Sequence, residues 1–452
     1  MLEAPFATRA GENLSVQNTR ENLLNMYVEK APGGRGQILR TQRAGLKKNA
    51  SLSGEARGVQ NLRGNDYAVV GSGFYRLSTT EAFLLGTLET ETGKCSFAEN
   101  ATQIAICDGF SLYCFDGTVL TKTTLPDGIV AGSVSGLDGY ALINDRNSGK
   151  FYRTDLNDFK TVGALNFATA ESQPDKLVRV FVDHREVWLA GQTSIEVWGN
   201  TGASGFSFSR VQGIALERGC AAAHSFAAED NTVFWLGNDG FVYRADGYRP
   251  ARISDEQIER LIASAAPWSD AHAWVYAVPG HKFYVLTFPG RLTVVYDITS
   301  GLWHQAKTWG SESWDVVGPV KLGASVVLAH SGICQLVKER NTDNDGIMER
   351  KATAPPIYSE GKRIAIDAYW LDVDVGTSLS SVSPSVMLTI SRDGETFGNV
   401  RTRGLGAIGD YVRRAVWRNL GVSRKWTFSV SVTDDVPFTV VSGRMSARVM
   451  GS

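Results

Sequence analysis

The apolar residues of this chain fall in pairs of short runs, each pair joined near a glycine. DYAVVGSGFYRLS (66–78), TQIAICDGFSLYCFDG (102–117), GYALINDRNSGKFYRTD (139–155) and EVWLAGQTSIEVWG (186–199) have this form. So do TVFWLGNDGFVYRADG (232–247), KFYVLTFPGRLTVVYDI (282–298) and SVVLAHSGICQLV (325–337). Side chains of a strand alternate between faces, and two such runs around a glycine turn make an antiparallel hairpin. The second strands centre near Tyr75, Tyr113, Tyr152, Trp198, Tyr243, Tyr296 and Gln335, at separations of 38, 39, 46, 45, 53 and 39 residues. That spacing is close to the length of a four-stranded propeller blade. Seven maxima predict seven blades, or six if a terminal pair belongs elsewhere. A propeller also removes the long exposed edges that an open sheet would leave. Closing the ring calls for the segment around 44–62 to pair beside the last blade. A β-sandwich built from the same strands explains the repeated glycine hairpin less well.

Two segments pattern as helix. ISDEQIERLIASA (253–265) spaces Ile258, Leu261 and Ile262 at helical intervals after Ser254 as a cap, and reads as an inter-blade insertion. Part of 19–28, with Leu23, Leu24 and Tyr27, predicts a shorter helix before the breaker APGGRG (31–36). The polar stretch KERNTDNDGIMERKATAPP (338–356) marks a boundary, and alternating runs after it fit a C-terminal β-sandwich or jelly-roll-like domain. Trp370, Trp417 and Trp426 are assigned to its packing. The expected organisation is therefore an all-β chain. An N-terminal arm and docking segment (1–43) precedes a divergent β-propeller (44–337), a linker (338–356) and a C-terminal β-sandwich (357–452).

Composition narrows the function. A chain of 452 residues, 43% hydrophobic and with a formal charge of −1, reads as an ordered multidomain protein and not as a strongly basic nucleic-acid binder. Two local basic runs stand out. Lys30 to Lys48 holds six basic residues and no acidic one, and the other run contains Arg413, Arg414, Arg418, Arg424 and Lys425. The odd number of cysteines, Cys95, Cys107, Cys114, Cys220 and Cys334, suggests buried thiols and synthesis in a reducing cytoplasm. No secretory signal pattern or lipid-spanning run is expected, hence no stable membrane insertion.

No motif assigns catalytic, cofactor-binding or metal-ligating residues. Asn341-Thr342-Asp343-Asn344-Asp345-Gly346 resembles the start of a calcium loop, but Ala352 stands where the late bidentate acid is required, so a polar linker is expected. Gly71-Ser72-Gly73 is followed by another strand and not by the helix that phosphate cradling needs, which makes it a tight turn. No P-loop pattern exists. The six histidines make no zinc spacing; His184 reads as a turn and His304 as a core-edge residue. Asp297 and Asp315 near aromatic segments raise a glycosidase reading, which ordinary acidic turns explain with fewer assumptions. A carbohydrate-binding propeller or glycan-active enzyme is the alternative, with Trp198, Trp235 and Trp303 as stacking faces.

Three ordered segments carry a family resemblance: AESQPD (170–175), SIEVW (194–198) and SRDGETFG (391–398). It continues through RRAVWRNLGVSRKWTFSVSVTDDVPFTVVSGRMSARV (413–449). Together they resemble the packaged-DNA stabilisation, or tail-hub and nozzle, family of P22-like short-tailed phages, from about residue 20 onward. The resemblance implies a structural homohexamer in the virion tail, below the portal and its adaptor or head-completion ring. There it would close the DNA exit, form part of the conduit for ejection, lie close to duplex DNA without reading it, and hold a tail needle and tailspikes or fibres. It implies no catalytic set and no cofactor. Arg40, Arg43, Lys47 and Lys48 are the expected docking surface, with Arg413 and Arg414 as further contacts to a partner or to the DNA backbone.

Overall fold

The structure is a computed structural model that describes residues 2–11, 21–30, 38–170, 173–320, 326–373, 384–406, 409–410 and 414–450. The described residues form seven four-stranded antiparallel blades: 56–87, 96–122, 131–169, 177–216, 227–252, 272–305 and 316–337, the last completed by Gly45–Ala50. Each hairpin of the sequence pattern supplies the two middle strands of a blade. Blade 1 shows why. Asn65–Val70 and Gly73–Leu77 are joined at Gly71 and Ser72, with Gly71 at φ +55. Blades stack face against face, so middle strands are covered on both sides. Every residue of Ile104–Cys107, Leu112–Phe115 and Leu292–Asp297 is buried.

Aromatic pairs bridge neighbouring blades: Phe74 with Phe115, Phe151 with Trp198, Phe234 with Tyr284, and Trp274 with Trp314. Each buried ring of this kind contributes roughly 2–3 kcal/mol from area alone. Outer strands are covered on one side only: Phe208–Leu216 buries Phe208 and Leu216 and exposes Ser209, Gln212, Gly213 and Ala215. Four innermost strands carry a bulge near their start, at Ala56/Gly58, Ala131/Ser133, Leu177/Arg179 and Val316/Gly318. A bulge bends the strand and re-aims its side chains.

The N-terminal strand Gly45–Ala50 closes the ring by pairing with Gly332–Val337, Gly45 opposite Val337 and Leu46 opposite Leu336. Gly332, at φ +126, lies so close to Ala50 that a Cβ would overlap the Ala50 carbonyl oxygen. Gly332→Ala is expected to cost about 3 kcal/mol through strain and overpacking, read as a lower urea midpoint. Gly290→Ala, where a Cβ meets nothing, should cost only about 1 kcal/mol. Equal losses would remove the closure explanation.

The helix Glu256–Ser264 lies between blades 5 and 6 and buries Ile258 and Ile262 in one cluster with Phe234, Tyr284 and Trp303. Its cap is Asp255, whose side chain accepts from the Gln257 and Ile258 amides. Ser254, the expected cap, instead donates to Glu259 Oε1 at 2.8 Å and accepts from the Val242 amide. Among the described residues no helix is long and apolar enough to cross a membrane.

The C-terminal domain is a sandwich of two sheets. One runs in the order Met26–Lys30, Ile38–Gln42, Thr439–Val449, Ile364–Val373, Ala415–Ser423, with Leu2–Ala4 also on Thr439–Val449. The other runs Asn22–Leu24, Arg350–Thr353, Lys425–Val432, Ser385–Ser391, Arg401–Gly404. Leu23, Met26, Val28, Tyr369, Trp417, Trp426 and Phe428 share the core between them. The described residues among the first 43 thus supply four strands and part of the core of this domain and are not a separate arm. Nor is the expected helix formed: its residues make Asn22–Leu24 and Met26–Lys30, separated by Asn25 at φ +54. Leu23, Leu24, Met26 and Val28 find buried places in sheets that a single turn of helix could not offer them. The polar 338–356 stretch likewise contains a sandwich strand, Arg350–Thr353. Asn22–Leu24 pairs on its other side with blade 6, Leu24 opposite Gln305, so one ten-stranded sheet runs from propeller into sandwich.

Candidate interface surfaces and the axial cavity

Two of the basic residues expected at a docking surface are internal. Arg43 is 2% exposed and makes a bidentate ion pair with Asp343, at 2.5 and 3.0 Å. Its Nε donates to Asn25 Oδ1 at 2.9 Å, and its guanidinium lies 4.6 Å from the Trp314 ring centre. Asn25 in turn donates to the carbonyls of Lys307 and Glu349. This knot ties the N-terminal strands, the blade 6–7 connection and the 338–356 segment together. Asp343 is also the acid that drew attention as a calcium ligand; Arg43 occupies its carboxylate. No metal-binding group of His, Cys, Asp or Glu occurs among the described residues. Arg40 is buried as well. It donates to the Ala7 and Ile38 carbonyls at 2.9 Å and lies over Phe6.

Lys47 and Lys48 are exposed on the closing strand, at the outer edge of blade 7. Arg414 is exposed where the edge strand Ala415–Ser423 begins; Arg413 lies outside the described residues. Beside it runs Arg401–Gly404, the edge of the opposite sheet. Trp417 Nε1 donates to the Arg401 carbonyl and Arg403 Nε to the Val416 carbonyl, both at 2.8 Å. Exposed Arg401, Arg403 and Arg414 therefore share one rim, with exposed Arg418 on the same edge strand. Sequence reasoning missed Arg401 and Arg403, because only sheet pairing places them there. The signal available was RTR on a short strand with no apolar face.

On the propeller axis, the innermost strands surround a cavity of about 530 Å3 lined by Arg57, Lys94, Arg179, His224 and His272, with Gln60, Asn61 and Ser96 among apolar and small residues. A second space of about 850 Å3 shares Lys94 and His224 with it and is lined by Glu55, Asp108, Arg146, Lys176 and Asp270.

The family model for the bacteriophage P22 Gp10 β-propeller matches residues 15–324, and that for the P22 Gp10 β-sandwich matches 349–448. The chain belongs to the P22 Gp10 family. It is therefore a structural phage protein, associated with the virion, as the resemblance implied. No curated protein matches it. Among solved structures, PorZ of the type-IX secretion system of Porphyromonas gingivalis aligns at 14% identity over 81% of this chain, with a TM-score of 0.35. The chain spans less than half of PorZ, 46%. YCF48 bound to D1 peptide aligns at 11% identity over 72% of this chain and 99% of its own, with a TM-score of 0.38. BBS1N in complex with ARL6DN aligns at 9% over 66% and 96%, with a TM-score of 0.40.

In this Gp10-family chain the other chemical candidates are structural. Asp297 pairs with His281 at 2.8 Å and accepts from Ser300 and the Thr299 amide, closing a turn. Asp315 accepts from the Ser331 amide. Trp198, Trp235 and Trp303 are buried in three separate clusters, so they form no sugar-stacking face. His184 sits with Asp183 and Arg185 at an exposed hairpin tip. All five cysteines are buried free thiols. Burial pushes Cys95 and Cys107 up to about 12 and Cys220 up to about 11, which keeps all three protonated at neutral pH.

Proposed function

We propose that this chain is a hub or nozzle subunit of a short phage tail. Six copies close a ring below the portal and its adaptor, seal the DNA exit after packaging, and carry the needle, spikes or fibres beyond. The observation that carries the reading is the match of both domains, in order, to the P22 Gp10 family. The mechanics agree with it. A sheet continuous from blade 6 into the sandwich holds two docking faces at a fixed relation, and a closed ring satisfies every subunit contact at once. The conduit then lies on the ring axis between copies. The arginine rim and Lys47–Lys48 offer phosphate or carboxylate contacts without base readout.

Imaging the full chain with its portal adaptor tests the reading: a closed axial hexamer is expected, and copies that never close around an axis would sink it. Docking through the closing strand is tested by Lys47→Gln with Lys48→Gln. Both side chains are exposed, so stability should change by less than about 0.5 kcal/mol, while attachment to the adapted portal should fall several-fold. Unchanged attachment removes these lysines from the interface. Arg40 and Arg43 do not belong in such a test, because replacing either damages the fold.

A further inference from the structure

We propose that the axial cavity of the propeller binds a small oxyanion of the phosphate class. Its wall carries Arg57, Lys94, Arg179, His224 and His272 and, among the described residues, no Asp or Glu. The cations differ in how the protein satisfies them. Arg57 is fully engaged, donating to the carbonyls of Gly93, Gly71 and Thr90 and to Thr90 Oγ1. Lys94 Nζ donates to the Ala56 carbonyl at 2.9 Å. Arg179, half-buried on the bulged inner strand of blade 4, is different. Its Nε and Nη1 are buried without any protein acceptor. The ionisable groups that act on it are the thiols of Cys107 and Cys220, both neutral, and it in turn lowers His224. His272 is 4% exposed, and neither ring nitrogen reaches hydrogen-bonding geometry, although the Val316 backbone lies close by.

Donor atoms of a half-buried cation that are shut off from water without acceptors are unfavourable unless something supplies acceptors and negative charge. A guanidinium cannot escape by neutralising itself: burial lowers Arg179 only to about 10. The nearby carboxylates are not available. Asp108 already accepts from Thr90 Oγ1, the Phe110 amide and the Ser111 amide, and Asp270 pairs with Arg291. Glu55, Asp108 and Asp270 line the outer space, not the inner one. A tetrahedral oxyanion matches the set, since two of its oxygens meet a guanidinium fork while others remain for Lys94 and His272. Chloride could offset charge but could not accept from the fork in this way. The outer space, lined by Arg146 and Lys176, adjoins the inner one at Lys94 and His224.

The test is titration of the full chain with inorganic phosphate, by calorimetry and by thermal unfolding, against chloride at equal ionic strength. Saturable binding with a raised melting temperature is expected for phosphate and not for chloride. Arg179→Met should keep the wild-type circular dichroism and weaken phosphate binding at least ten-fold. Without phosphate it should melt no lower than wild type, because the substitution removes two buried donors that have no protein acceptor. No saturable phosphate binding by the wild type, or equal responses to both anions, means that water alone satisfies the donors and overturns the proposal. So does undiminished binding by Arg179→Met. Should that variant fail to fold, Lys94→Met gives the same decision by the same readouts.

Discussion

Arg43→Ala should be the most damaging single truncation at the junction of the two domains, lowering stability by about 3–5 kcal/mol. That is the cost of leaving one member of a buried ion pair alone, here Asp343, whose side chain is 3% exposed. Loss of the Trp314 contact and of the bond to Asn25 adds to it. Against a typical total of about 5–15 kcal/mol, a change of this size threatens folding at physiological temperature. Urea unfolding measures it, and Arg43→Met with Asp343→Leu supplies the control. Removing both charges should recover most of the loss, because the pair's attraction roughly balances its desolvation. A single-mutant loss below about 1 kcal/mol would show that the junction does not depend on this pair. Calorimetry adds a second readout. With the knot cut, propeller and sandwich should melt as two transitions where the wild type shows tighter coupling.

Acid is the second large lever. Burial holds His304 down to about 3 and pushes His224 and His272 well below the usual histidine range. Their charged neighbours, Arg43 and His281 for His304, Arg179 and Lys94 for His224, and Lys94, His330 and His224 for His272, push the same way. With folded values below unfolded ones, the unfolded chain binds more protons once the pH drops below about 6.5. The stabilisation is thus fully present above that pH and is lost as pH falls toward the folded values. Three such groups give a slope of roughly 4 kcal/mol per pH unit. Unfolding is expected between about pH 4 and 5.5, beginning above the midpoints of ordinary surface carboxylates at about 4. Urea melts at pH 7, 6 and 5 read the slope, and His304→Gln should reduce it by about one third. A midpoint independent of pH over this range would mean that the three rings accept protons in the folded state. Phosphate in the axial cavity should blunt the loss, since a bound anion favours protonated His272.

The hairpins were legible because their signals are local. Alternation and glycine turns act over about ten residues, and VVGSGF or LTFPGRLTV carries both within itself. The inner and outer strands of each blade were less legible: Arg249–Arg252 has no strong apolar face, and the apolar residues of Phe208–Leu216 do not alternate because its pairing register shifts. The helix at 256–264 was visible from its spacing, with the cap displaced by one residue, since Ser254 and Asp255 are equally good caps until Glu259 claims the first. Residues 19–28 misled because Leu23, Leu24 and Tyr27 suit a helix turn as well as a pair of strands. Only the sheets waiting on both sides decide between the two.

By itself, the sequence determined the all-β class, the seven-hairpin period, the need for an N-terminal strand to close the ring, the C-terminal sandwich and the family. Each of these follows from short-range alternation, turn chemistry or contiguous motifs. Tertiary structure alone decided that the first strands belong to the sandwich, that Arg40 and Arg43 are internal while Lys47 and Lys48 face outward, and that Arg401 and Arg403 join Arg414 on one rim. It also decided that Arg179 and His272 share a cavity with Lys94. Arg43 and Asp343 stand 300 residues apart in the chain. Which charge is buried, and beside what, depends on partners that no local pattern names.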